Sequence, residues 1–311
     1  MAKMLRTAYG EALVKLAAQD SRVVVCDADV AAATMTRIFK SAYPERFFDF
    51  GIAEQNMVCA AAGMAHAGLV PFVSTFAIFG AGRAFEQIRN GVCYSNANVK
   101  IACTHPGISV GEDGGTHQSV EDIALMRAVP GMTILSPCDC QQTEKAVFAA
   151  AQINGPVYLR ISRQASPDLT DANTPFEVGK AQVLCEGTDA CLMATGLMTA
   201  HAMTAAKRLE EKGISCEVAN FATIKPIDAS YILSANQRFK VIVVAEEHSV
   251  IGGLGGAVAE VLAGHAGASF AQVGIEDRFG CSGTPEQLFE AYGLTPEHIE
   301  EACIEKLKAV L

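Results

Sequence analysis

Four clusters in this 311-residue chain have the residue types and spacing for chemistry. The first is Glu54, in Gly51-Ile52-Ala53-Glu54-Gln55-Asn56-Met57, where the apolar run Phe47-Phe48-Asp49-Phe50 hands over to a helical pattern, Glu54–Ala67. Little else there is charged, and burying a lone carboxylate costs several kcal/mol unless it is paired or protonated. Glu54 is therefore either a carboxylate stabilised by its helix dipole or a hydrogen-bonding acid with a shifted pKa. The second cluster is Ser74-Thr75-Phe76-Ala77-Ile78-Phe79-Gly80-Ala81-Gly82. Its two phenylalanines are core or a platform for a flat heterocycle. The third is the loop from Thr104 to Gln118, with His105, Glu112, Asp113, His117 and four glycines. Such a loop costs entropy to order, and loops on rigid α/β scaffolds are where sites are built; the alternative is a solvated turn. The fourth is Arg163 in Ile161-Ser162-Arg163-Gln164, a surface arginine or an anion clamp.

Short β-rich runs alternating with Ala-rich runs must position these groups. Strands are expected at Val23–Cys26, Phe47–Phe50, Val70–Ser74, Val99–Thr104, Met132–Leu135 and Val157–Ile161, with helices at Glu54–Ala67, Arg83–Tyr94, Ser119–Arg127 and Gln141–Ile153. A polar, turn-rich segment follows, and the alternation resumes with strands at Ala190–Ala194, Cys216–Phe221, Val241–Ala245 and Phe270–Gly274. Helices are expected there at Thr199–Lys212, Asp228–Asn236, Gly255–Ala263, Glu286–Tyr292 and Pro296–Val310. This predicts an α/β protein of two doubly wound domains with mainly parallel sheets, residues 1–165 and 177–311, joined by a linker at 166–176. Ligands of such sheets bind beyond the strand ends, where the four clusters fall. Gly252-Gly253-Leu254-Gly255-Gly256 lacks dinucleotide spacing and reads as tight strand-to-helix packing.

The net charge of −10, without a basic cluster, disfavours a nucleic-acid partner. No apolar run reaches the ~18 residues of a membrane span, and the start Met1-Ala2-Lys3-Met4-Leu5-Arg6 lacks a signal-peptide layout. The eleven cysteines have no zinc spacing and read as small buried hydrophobes in a reducing compartment. A cytoplasmic protein without a metal site of its own is expected.

Taken together, "GIAEQNM", "STFAIF", "GEDGGTHQSVEDIALMR", "SPCDCQQTEKAV", "ISRQ" and "AEEHSVIGGLGGAVAEVLA" resemble the C-terminal half of the transketolase family in order and spacing. The resemblance implies a pyrimidine-binding domain for thiamine diphosphate followed by a transketolase C-terminal domain. The family's Gly-Asp-Gly metal motif is not found, which implies the small subunit of a split enzyme. A partner carrying the diphosphate domain would then hold Mg²⁺ (or Ca²⁺), in an α2β2 assembly. By the same resemblance, Glu54 would hydrogen-bond the aminopyrimidine in protonated form, and Phe79, with Phe76 behind it, would pack on the ring. Asp29 would lie near the cofactor. His105 and His117 would contact the sugar donor and move protons, Asp113 would bind a sugar hydroxyl, and Arg6 and Arg163 would grip the sugar phosphate. The implied reaction, in pentose phosphate metabolism, moves a two-carbon ketol unit from a ketose to an aldose.

Two departures stand out. Gly80-Ala81-Gly82 replaces a third aromatic found in some members, which implies a looser pocket there. Ala33 replaces a phosphate-binding serine, so either Thr34 compensates or the anion is unusual, as in a sulfonated sugar or a branched sugar phosphate. The alternatives are a 1-deoxyxylulose-5-phosphate synthase-like enzyme, the beta subunit of a 2-oxoacid dehydrogenase, and a scaffold half without activity.

Overall fold

The computed structural model describes residues 3–310; Met1 and Ala2 of the start segment and Leu311 lie outside the described residues. Fifteen residues, Leu5–Gln19, form the first helix, α1, which has no counterpart among the elements expected from the sequence. It packs on the first sheet through the buried Leu5, Tyr9, Leu13 and Leu16. β1 (Val23–Asp27), the short helices α2 (Ala31–Thr34) and α3 (Arg37–Ala42), β2 (Phe47–Asp49), α4 (Glu54–His66) and β3 (Val70–Phe76) follow. Residues 78–94 are helical but irregular, two wide turns flanking the short α5 (Phe85–Gln87); one regular helix was expected over Arg83–Tyr94. β4 (Lys100–Thr104), the long loop, α6 (Asp122–Ala128), β5 (Thr133–Leu135), α7 (Cys140–Gln152) and β6 (Val157–Ile161) complete the first unit.

The second unit runs β7 (Gln182–Cys185), β8 (Ala190–Ala194), α8 (Met198–Glu210), β9 (Cys216–Asn220), β10 (Thr223–Lys225), α9 (Ala229–Arg238), β11 (Val241–Ser249), α10 (Leu254–Leu262), β12 (Ser269–Ile275), α11 (Pro285–Ala291) and α12 (Pro296–Val310). The sheets have the orders β10-β5-β6-β4-β3-β1-β2 and β12-β11-β8-β9-β7. All pairings are parallel except β10 with β5 and β7 with β9. The fold is thus α/β with two mainly parallel, doubly wound sheets. Their central strands are buried along their whole length, because helices cover both faces.

Three features go beyond what the sequence pattern indicated. β2, in the apolar run before Glu54, is an edge strand with Phe48 exposed. β10 follows β9 in the chain yet extends the first sheet, so the two units interlock. The connecting segment is tied down: the Asp139 carboxylate accepts from the backbone N–H groups of Leu169 (2.9 Å) and Thr170 (2.6 Å). Gly253 sits against Glu246, whose carboxylate accepts from the first N–H groups of α10, Leu254 and Gly255. No described helix is long and apolar enough to cross a membrane.

Candidate functional site

The C-terminal ends of β1, β3, β4 and β6 place four loops on one edge of the first sheet. Glu54 enters this edge from the first turn of α4, after Gly51, whose positive φ (64°) turns the chain off β2. The side chain is buried, but it is not the lone carboxylate expected. Arg83 donates from one Nη1 to both of its oxygens, at 2.9 and 2.8 Å. The same guanidinium lies 4.5 Å from the centroid of Phe79. Arg83 follows Phe79 by four residues, and that helical spacing, with the need of a buried acid for a partner, is the signal that could have found it.

A layered stack runs from this pair. Phe79 stacks on Phe76 (centroids 5.8 Å, 10° between planes), and Phe76 stacks on His105 (4.0 Å, 19°). His117 meets Phe79 edge-on at 5.4 Å. Gly80 lets this turn settle on β4: a Cβ there would lie 2.4 Å from Cys103 Sγ. The side expected to be looser, beside Gly80-Ala81-Gly82, is where Arg83 folds over the ring.

His105 has a left-handed backbone (φ 58°) and shares a 2.7 Å hydrogen bond between Nδ1 and Thr104 Oγ1. Burial, then the nearby Arg6 and Arg163, push its pKa down to about 3. The ring is therefore neutral at ordinary pH. Arg163 lies 3.6 Å from Asp113 and donates to the Val110 carbonyl. Arg6 donates to the Ala33 carbonyl at 2.8 Å, and its Nε is buried without a partner. Burial, then Arg163 and Arg37, hold the Arg6 pKa below the usual arginine range. Two neighbouring cations whose only ion-pair partner among the described residues is Asp113 suit an anionic ligand.

The β1–α2 turn is organised by Asp27, which the sequence did not single out. Its buried carboxylate accepts from Val30 N, Thr34 Oγ1 and Thr36 Oγ1, each at 2.8 Å. Burial lifts its pKa to about 6 despite those bonds. Thr34 is thus committed inward and cannot replace the serine missing at Ala33. Asp29 is exposed, with φ 63°, and is linked toward Glu54 through Asp49, whose carboxylate accepts from the N–H groups of Asp29 (3.1 Å) and Gly51 (3.0 Å). The stack and the arginine pair thus bring together Glu54, Phe76, Phe79, His105, His117, Asp113, Arg6 and Arg163, and leave Asp29 at the rim.

An aminopyrimidine needs an apolar face for its ring and a carboxyl group that can share a proton with a ring nitrogen. Phe79 and Glu54 lie together as such a pair, both touched by the planar Arg83 guanidinium, so the residues fit an aminopyrimidine in the arginine's place.

An edge-built site of this kind, on paired α/β units, is the place where such sheets take their ligands. The transketolase pyrimidine-binding domain model matches residues 2–168 and the transketolase C-terminal domain model residues 179–299. A protein of Methanocaldococcus jannaschii named as a transketolase C-terminal section is 44% identical over 98% of this chain and 97% of its own. A 6-deoxy-6-sulfo-D-fructose transketolase subunit of a Clostridium species is 40% identical over 97% and 94%. The solved structure of a split gene transketolase, an inactive beta4 tetramer, superposes with TM-score 0.92 at 47% identity and covers 99% of both chains. The chain belongs to the transketolase family.

Proposed function

We propose that this chain is the small subunit of a split transketolase that moves a two-carbon ketol unit from an anionic ketose to an aldose. One observation carries the reading: a buried carboxyl group lies against an aromatic face (Glu54 and Phe79, bridged by the planar Arg83), beside a loop that presents two histidines and an acid. Bound thiamine diphosphate would supply the electron sink for breaking the ketose carbon–carbon bond. Glu54 holds a proton at the pyrimidine nitrogen, and Phe79 supports the ring with Phe76 behind it. His105, being neutral, orients donor oxygens by hydrogen bonding and carries no charge to the reaction; His117, on the ring edge, is the proton carrier. Arg6 and Arg163 hold the anion, and Asp113 releases its contact with Arg163 to take a sugar hydroxyl. Asp29 lies near the cofactor only once a second subunit closes over the rim.

Among the described residues no group of three or more His, Cys, Asp or Glu side chains could hold a metal ion. The diphosphate and Mg²⁺ (or Ca²⁺) are assigned to a partner subunit, in an α2β2 assembly located in the cytoplasm. The inactive beta4 tetramer of a relative supports the view that such a chain is idle alone. Ala33 beside Arg6, with Thr34 turned inward, and the relative named for a sulfonated ketose both support a donor whose anion needs no serine hydroxyl. The test is ketol transfer by the assembled subunits with a panel of phosphorylated, branched and sulfonated ketoses. Glu54→Ala should cut turnover at least ~100-fold while leaving the complex intact. Retained turnover would remove Glu54 from the chemistry, and a clear preference for xylulose 5-phosphate would remove the unusual-anion reading.

A further inference from the structure

The second unit contributes a buried carboxylate that the proposed chemistry does not use. Glu247, near the end of β11, is buried against the long loop of the first unit. The Ser109 N–H donates to its Oε1 at 2.6 Å. Gly107 passes so close that a Cβ there would lie 2.3 Å from the same oxygen, and its φ of +72° independently favours glycine. The stretch thus gripped, 107–110, sits between His105 and Asp113, and its other atoms reach the anion side of the site. The Val110 carbonyl accepts from Arg163, and the Ser109 carbonyl accepts from Gln164 Nε2 at 2.7 Å. Glu247 is itself fixed from below. Its carbonyl accepts from Arg160 Nη2 at 2.9 Å, and Arg160 is paired with Asp122 in the buried layer under the loop. Ser249 N donates to the Val120 carbonyl at 2.7 Å, so the same strand end holds the chain just past the loop. His105 needs such a frame, because a non-glycine residue in left-handed backbone persists only when its surroundings over-determine it.

We infer that Glu247 is a positioning residue: it anchors the 105–118 loop, so that donor-sugar binding at His105, Asp113 and Arg163 depends on a side chain of the other unit that touches no sugar. This rests on the reading of that loop as the donor site, so the test has one arm that needs no activity. With the chain in complex with its partner subunit, hydrogen exchange of the loop amides is compared in wild type, Glu247→Ala and Glu247→Gln. Glu247→Gln keeps the volume and one acceptor oxygen for Ser109, whereas Glu247→Ala removes both. Exchange over 107–111 should accelerate about tenfold or more in Glu247→Ala and stay near wild type in Glu247→Gln. In the kinetic arm, with a ketose phosphate as donor, Glu247→Ala should lower kcat/KM about 10- to 100-fold, mainly through KM. The thiamine diphosphate Kd should move less than about twofold, and Glu247→Gln should recover most of the loss.

Wild-type loop protection in Glu247→Ala overturns the inference, as does a loss that falls on cofactor Kd as heavily as on donor KM. If Glu247→Ala does not fold, Gly107→Ala takes its place, since its methyl must push the loop off Oε1; unchanged exchange there would overturn the anchor. An inactive wild-type complex with an Ala-sensitive, Gln-tolerant loop would refute the donor-site reading and leave the anchor standing.

Discussion

Arg83 and an aminopyrimidine would use the same two partners, Glu54 and the face of Phe79, so removing the arginine should tighten thiamine diphosphate binding. The magnitude follows from the contacts. Arg83 makes charge-assisted bonds to a carboxylate that is almost fully buried, but its own side chain is 46% exposed. A bond of this kind contributes roughly 1.5–3 kcal/mol when enclosed, and solvent screening of a half-exposed partner cuts it to about 1 kcal/mol. The guanidinium over Phe79 adds about 0.5 kcal/mol at an exposed site. Displacement therefore costs about 1.5 kcal/mol, or about tenfold in Kd. Calorimetric titration of the assembled subunits should give a Kd about tenfold lower for Arg83→Ala than for wild type. Arg83→Lys keeps a cation for Glu54 but no plane for Phe79, and should fall between the two. An unchanged or higher Kd for Arg83→Ala would refute the shared-place argument and make Arg83 a holder of Glu54.

Ala33→Ser puts a hydroxyl beside the carbonyl that Arg6 holds, and should lower KM for a phosphorylated ketose about tenfold; an unchanged KM would show that residue 33 does not face the anion. Gly80→Ala drives a methyl against Cys103 Sγ and should destabilise by about 1–3 kcal/mol, read as a lower melting temperature, with Cys103→Ala restoring it. Glu247 gives a pH signature. Burial raises its carboxyl from 4.5 to about 7, despite the nearby Arg160 and the Ser109 N–H. A raised acid stabilises the fold fully below its unfolded value and loses that contribution as pH rises through the folded one. From pH 4.5 to 7 the denaturant-measured stability of wild type should therefore fall relative to Glu247→Gln, by up to about 3 kcal/mol. A difference independent of pH would mean that this carboxyl does not titrate there.

Much of the framework was legible because parallel strands buried on both faces leave continuous apolar runs. The strands Val157–Ile161 and Ala190–Ala194 fall where those runs put them, and the helix Pro296–Val310 where its helical spacing put it. α1 was not, since its buried residues are mostly Ala and Leu, with Gly10 inside the turn against Met35, and its polar face is thin. β10, three residues long, is defined by pairing with β5 and has no periodicity of its own. At the site, the residue types were readable but their partners were not. Glu54 was legible as a buried acid, whereas Arg83 lay in what read as an ordinary helix. Thr34 looked free to replace the missing serine, and only the inward bond to Asp27 removes it.

The glycine-rich loop is the sharpest case. As a string, Gly107 to Gly115 reads as a segment whose ordering costs entropy that nothing local repays. In the fold, those glycines are where the second unit comes close. Gly107 lies under Glu247, and Gly115 faces the Gly280 carbonyl, where a Cβ would sit 2.5 Å away. Gln118 Nε2 bonds Cys281 O at 2.9 Å while also holding the loop carbonyls of Ile108 (3.2 Å) and Gly111 (3.1 Å). The ordering cost is thus met across the unit boundary. The second unit's contacts there are with the loop itself, through Glu247, Gly280 and Cys281, so its contribution is the shape of a loop. Substitutions at Glu247 or Gly280 should accordingly alter donor KM before they alter cofactor affinity, whereas substitutions at Glu54 or Arg83 should act on the cofactor.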